Sequence, residues 1–70
     1  MITCGERVRV KEGSDVNEKF FGKEGRVHVR RRKFNTPHMY EYEIRFFDRT
    51  LNHAIMGTAS GFKEDFLEVV

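Results

Sequence analysis

An all-β domain of about five short strands, folded into a small barrel, is what this 70-residue sequence predicts. Three observations lead there. First, three stretches alternate apolar and polar side chains with period two. Val8 and Val10 alternate with Arg7, Arg9 and Lys11; Val27 and Val29 with Arg26, His28 and Arg30; and Tyr40, Tyr42, Ile44 and Phe46 with Glu41, Glu43 and Arg45. Side chains of a strand point alternately to its two faces, so each stretch reads as a strand with one face buried. Second, the segments between them carry Gly, Asn, Asp, Ser and Pro, the residues of turns. Third, no stretch sustains a helical period, and none repeats or falls into low complexity. A chain this short makes one domain, residues 1–70, near the size limit for a single core. Closing the sheet would remove its exposed edges.

The first strand is expected over Glu6–Lys11, with Val8 and Val10 inward. The turn cluster Glu12-Gly13-Ser14-Asp15 opens a loop that runs to Gly25. A loop of this length in a small domain should pack against something of its own, and Phe20 or Phe21 is expected to fold over the core. Gly22 and Gly25 suit a tight turn into the second strand, since glycine takes positive φ at little cost. That strand is expected from Arg26 to Lys33, followed by a hairpin loop, Phe34–Met39, containing Asn35, Thr36 and Pro37. Tyr40–Phe46 is the clearest strand. A fourth is placed around His53–Thr58, with turns at Phe47–Asn52 and at Gly57, Ser60 and Gly61. Phe62–Asp65 reads as one short helical turn before a last strand, Phe66–Val70, with Leu67 and Val69 inward.

The second and third strands predict a register. With Lys33 opposite Tyr40, Val29 meets Ile44 and Val27 meets Phe46 on the buried side. Outside, Arg30 meets Glu43 and Arg32 meets Glu41. Such cross-strand pairs contribute roughly 0.2–1 kcal/mol each, and a slip of one residue would set valines against glutamates. The same parity turns Arg31 toward the core, where an unpaired guanidinium is costly. It must lie beyond the rim, stack on Tyr42, or be turned outward by a bulge.

The segment Gly5–Arg30, a strand, a glycine-containing loop and then Gly22-Lys23-Glu24-Gly25-Arg26-Val27 leading into a second strand, resembles the KOW motif. The ending FKEDFLEVV is similar to the short 3₁₀ turn and terminal strand of SH3-like barrels. The resemblance implies a five-stranded SH3-like barrel that binds RNA or proteins of transcription and translation.

Composition narrows the function. No apolar run approaches the roughly 18 residues of a membrane span. Met1–Cys4 lacks the features of a signal peptide, and a lone cysteine forms no intramolecular disulfide, so a cytoplasmic location is expected. His28, His38 and His53 lack metal-ligand spacing and Cys4 has no cysteine partner, so neither a metal nor another cofactor is expected. Ser14 and Ser60 stand outside any nucleophile motif, and the glycines match no phosphate-binding fingerprint. A non-catalytic binding module is the expectation.

The functional lead is charge. Residues 1–35 hold ten Lys/Arg against five Asp/Glu, whereas residues 36–70 hold three against six. Arg26, Arg30, Arg31, Arg32 and Lys33 are the candidate phosphate ligands, with Arg30, Arg32, His28 and Arg26 expected on one outer face. Phe34 and His38 near the hairpin tip would add rings on which single-stranded bases stack. The expected partner is nucleic acid, RNA or DNA, or a protein of the nucleic-acid machinery. Two readings compete with it. The arginines could form a solvated face neutralised by Glu41 and Glu43. Alternatively, the domain is a protein-interaction or assembly accessory module that uses a strand edge or its loops, with Tyr40, Phe47 and Phe21, if exposed, making a peptide-binding groove.

Overall fold

The computed structural model describes residues 2–32 and 39–70. Five strands, β1 (Arg7–Val10), β2 (Glu24–Arg32), β3 (Tyr40–Phe46), β4 (Ala59–Lys63) and β5 (Leu67–Val69), form one antiparallel sheet in the order β4-β3-β2-β1-β5. Short 3₁₀ turns at Glu18–Phe20, Arg49–Leu51 and Glu64–Phe66 connect them. Among the described residues no ladder joins β4 to β5, so the sheet is open along that seam. No described helix is long and apolar enough to cross a membrane.

The core follows the alternation. Val8, Val10, Val27, Tyr42, Ile44, Phe46, Phe62 and Leu67 are buried together with Ile2. The long loop after β1 contributes Phe20, whose ring stacks on Phe46 at 5.3 Å and meets Phe62 edge-on at 5.2 Å. Asn17 starts the 3₁₀ turn that presents it, its side chain accepting from the Lys19 amide at 3.0 Å. The loop thus packs through its own aromatic, as expected.

Gly22 and Gly25 do different work. Gly22 has φ of 73°, a left-handed conformation that glycine adopts freely. Gly25 does not take positive φ; it lets two strands approach. A Cβ there would collide with the Arg45 carbonyl oxygen and stand 2.8 Å from the Phe46 Cα.

The expected register is corrected by a bulge. Val27 faces Ile44, but Val29 faces Glu43, Arg30 faces Tyr42, Arg31 faces Glu41 and Arg32 faces Tyr40, with the shift falling between Val27 and Val29. His28 is the extra residue, and beyond it the faces of β2 are exchanged. Val29 therefore leaves the core, and Arg30 moves to the Tyr42 face. A second shift lies across β3, where Tyr42 pairs with Phe62 and Ile44 with Ala59. Both neighbours of β3 bulge beside Glu43, and bulges bend and twist the strands that carry them.

Two further expectations change. The fourth strand is Ala59–Lys63 rather than His53–Thr58. The consecutive Ala54-Ile55-Met56 is an exposed turn, closed by the Gly57 amide on the His53 carbonyl and the His53 amide on the Thr58 carbonyl, each 2.8 Å. Ser60 and Gly61 lie inside β4. In β5, Leu67 is buried as expected while Val69 is exposed at the sheet's end.

Candidate nucleic-acid interface

On the outer face of the sheet, strand pairing sets side chains in rows. One row runs Glu68–Arg9–Glu24 across β5, β1 and β2. It is balanced: Arg9 Nε lies 2.8 Å from Glu68 Oε1 and its Nη1 3.7 Å from Glu24 Oε2. The hydrogen bond to Glu68 pushes the Arg9 pKa up further. The next row is different. Arg7 faces Arg26, and Arg26 faces Arg45, placing three guanidinium side chains in line across β1, β2 and β3. Arg7 reaches sideways to Glu24 at 2.7 Å. Arg26 donates to the Gly5 carbonyl at 3.0 Å. Among the described residues neither Arg26 nor Arg45 has a carboxylate within ion-pair distance, and both are exposed.

Phe47 follows Arg45 by two residues and stands beside this row, opposite Glu24 at the end of the neighbouring one. Its amide donates to the Glu24 carbonyl at 3.1 Å, which continues the β2–β3 ladder by one step and fixes the backbone. Phe47 is 52% exposed, with the Arg7 guanidinium 5.1 Å from its ring centroid. It lines clefts on both sides. The smaller is walled by Arg7, Lys23 and Asp48; the larger, about 510 Å³, by Arg26, Arg45, Arg49, Phe46, His53 and neighbours. Arg49 enters through the 3₁₀ turn that Asp48 caps, accepting from the Thr50 amide at 3.1 Å and hydroxyl at 2.6 Å. Those bonds hold the Asp48 pKa below its usual value. Asn52 is committed to the fold, its side chain accepting from the Phe46 amide at 2.9 Å and donating to the Phe46 carbonyl at 3.1 Å.

Further along the face the charges cancel. Arg31 is turned outward by the bulge, one of the escapes open to it, and is 61% exposed along its side chain. Its Nη1 lies 3.1 Å from Glu43 Oε2. Glu43 is only 6% exposed, and its Oε1 accepts a hydrogen bond from Thr58 Oγ1. The Thr58 bond, and then Arg31, hold the Glu43 pKa low against the opposing effect of burial.

The sequence-derived basic residues are therefore divided. Arg26 and Arg31 lie on the outer face, one unneutralised and one paired. Arg30 lies on the opposite face, half-buried, with its guanidinium 3.6 Å above the Tyr40 ring. Arg32 is exposed and shares that parity. The expectation that Arg26, His28, Arg30 and Arg32 share one face is thus corrected by the bulge at His28. Lys33, Phe34 and His38 lie outside the described residues. Of the groove aromatics, Phe47 is exposed, while Tyr40 and Phe21 pack against the core. Arg45 and Arg49 did not enter the sequence-derived site, although outward parity with Glu41 and Glu43 marks Arg45. The unbulged register sets it against His28 and hides the row.

Comparison with protein-family models, curated proteins and solved structures finds no match to this chain.

Proposed function

We propose that this protein is a non-catalytic module that docks on the phosphate backbone of nucleic acid through the arginine row of its outer sheet face. The Arg7–Arg26–Arg45 alignment carries the reading. Like charges directly opposite one another destabilise a sheet. A polyanion laid along the row turns that repulsion into attraction, and arginine forks engage phosphate oxygens bidentately. The spread of Arg26, Arg45 and Arg49 over two strands and a turn matches an extended chain of phosphates better than a single anion. The strand order and the 3₁₀ turn before β5 support an SH3-like barrel with a KOW-like first hairpin, the resemblance seen in the sequence, and with it this class of partner.

The test is binding of fluorescent single-stranded RNA, single-stranded DNA and duplex DNA across a salt series. Affinity that falls steeply with salt is expected, because phosphate contacts release counterions. Absence of binding to all three at low salt would refute the reading. It would favour instead a protein-interaction module, which one observation supports. Ile55 is 88% and Met56 62% exposed, at the tip of the turn after the Arg49–Leu51 segment.

A further inference from the structure

We infer that the cleft beside Phe47 captures one unstacked nucleobase, so that the preferred ligand is a single strand rather than a duplex. The inference rests on the proposed docking of phosphates on the arginine row and adds what that docking alone does not require. A flat cationic face would bind either form of nucleic acid. This face ends in a recess of about 510 Å³, within the roughly 300–1,000 Å³ typical of small-molecule clefts. Its walls combine an exposed aromatic ring, Phe47, with the small residues Ala54 and Gly57, while Arg26, Arg45 and Arg49 bring positive charge to the same cleft.

Phe47 is held for this task. Its backbone is fixed by the Glu24 carbonyl, and Arg7 stands over the ring on the side of the smaller cleft. A ring that already lies beneath one cation and borders an open cleft offers a stacking surface to a planar base. His53 supplies a polar contact. Its Nδ1 accepts from the Ile55 and Met56 amides at 3.2 and 3.3 Å, which leaves the proton of the neutral ring on Nε2. Nε2–H is then the donor available to a base carbonyl or ring nitrogen. Asn52, locked onto Phe46, shapes the wall without reading the base. Charge complementarity selects the occupant: the recess adjoins cations that hold a phosphodiester, so the flat group that reaches it belongs to the same chain. Bases within a duplex are stacked and paired, and cannot enter without being flipped out.

The sequence contains no tryptophan, so Phe47→Trp introduces a single fluorescent reporter at the stacking position. Three ligands separate the terms: a single-stranded oligonucleotide, the same strand with abasic sites, which carries the same charge, and a duplex of half the length, which carries as many phosphates. Base capture predicts quenching of the indole by the base-bearing strand and little change with the abasic strand. In the unsubstituted protein, fluorescence anisotropy is expected to show the base-bearing strand binding about tenfold tighter than the abasic one. Phe47→Ala, which removes an exposed ring outside the core, is expected to erase that difference between the base-bearing and abasic strands. Equal affinity for base-bearing and abasic strands, or a duplex bound as tightly as the single strand, would overturn base capture and leave phosphate docking standing. Failure of all three ligands to bind at low salt would overturn both.

Discussion

Glu43 shows how one residue serves both the fold and the charge pattern of the face. It is almost wholly buried yet points outward, covered by Arg31 and bonded to Thr58. Glu64, exposed in the 3₁₀ turn before β5, is likewise tied into the fold by hydrogen bonds. Its Oε1 accepts from the Ile2 amide at 3.1 Å and the Tyr42 hydroxyl at 2.9 Å, and these bonds lower its pKa. A carboxylate whose folded-state pKa lies below its unfolded value contributes stability that is present above that value and lost as pH falls through the folded pKa. With both carboxylates held below the ordinary 4.5, the domain should be insensitive to pH near neutrality and lose stability in acid. Thr58→Val removes the leading cause of the Glu43 shift. It is expected to cost about 1–3 kcal/mol at neutral pH and to shrink the acid-dependent loss, measured by urea unfolding between pH 7 and pH 3. An unchanged acid profile would count against the Thr58–Glu43 bond. Tyr42 behaves in the opposite sense. Burial, reinforced by Glu64, pushes its pKa up to about 12, so the folded state holds a proton that the unfolded chain releases from about pH 10. Stability should therefore decline above pH 10, and Tyr42→Phe should flatten that alkaline limb.

At the scale of elements, the bulge at His28 and the glycine at position 25 decide which side chains reach the outer face. Gly25 lies where β2 passes close to the β3 backbone, and no flexible side chain stands there to give way. Gly25→Ala should therefore force the strands apart and destabilise the domain by about 1–3 kcal/mol, read as a lower thermal midpoint. A neutral effect would contradict the close approach. The strands themselves were legible from period-two alternation, and Phe20 from the need of a long loop to bury something. The register was not. Both patterns used to set it, apolar pairing and charge pairing, assume an unbroken alternation, and one inserted residue inverts everything beyond it. The fourth strand was misplaced for a related reason. Ala54-Ile55-Met56 is apolar enough for a strand, but its backbone is folded by His53, a tertiary fact that composition does not carry.

For the whole molecule, the asymmetry of charge between the two halves of the chain is visible in the sequence, but its cancellation in space is not. Folding sets Glu24 and Glu68 on Arg9 and Glu43 on Arg31, and leaves the uncompensated outer-face charge at Arg26 and Arg45 among the described residues. The proposed site thereby moves from the hairpin end of β2 to its beginning and takes in Arg49 and Phe47. The measurement that tests this most directly is the salt dependence of single-strand binding in Arg45→Gln set beside Arg31→Gln, with both variants first shown to remain folded. Each phosphate contact contributes about 0.7 to the slope of log affinity against log salt on single strands. Arg45→Gln is predicted to lower the slope by about that amount and to weaken binding, while Arg31→Gln, whose charge is already spent on Glu43, leaves the slope unchanged. A slope lost in Arg31→Gln and kept in Arg45→Gln would contradict the arginine row and return the interface to the hairpin end of β2.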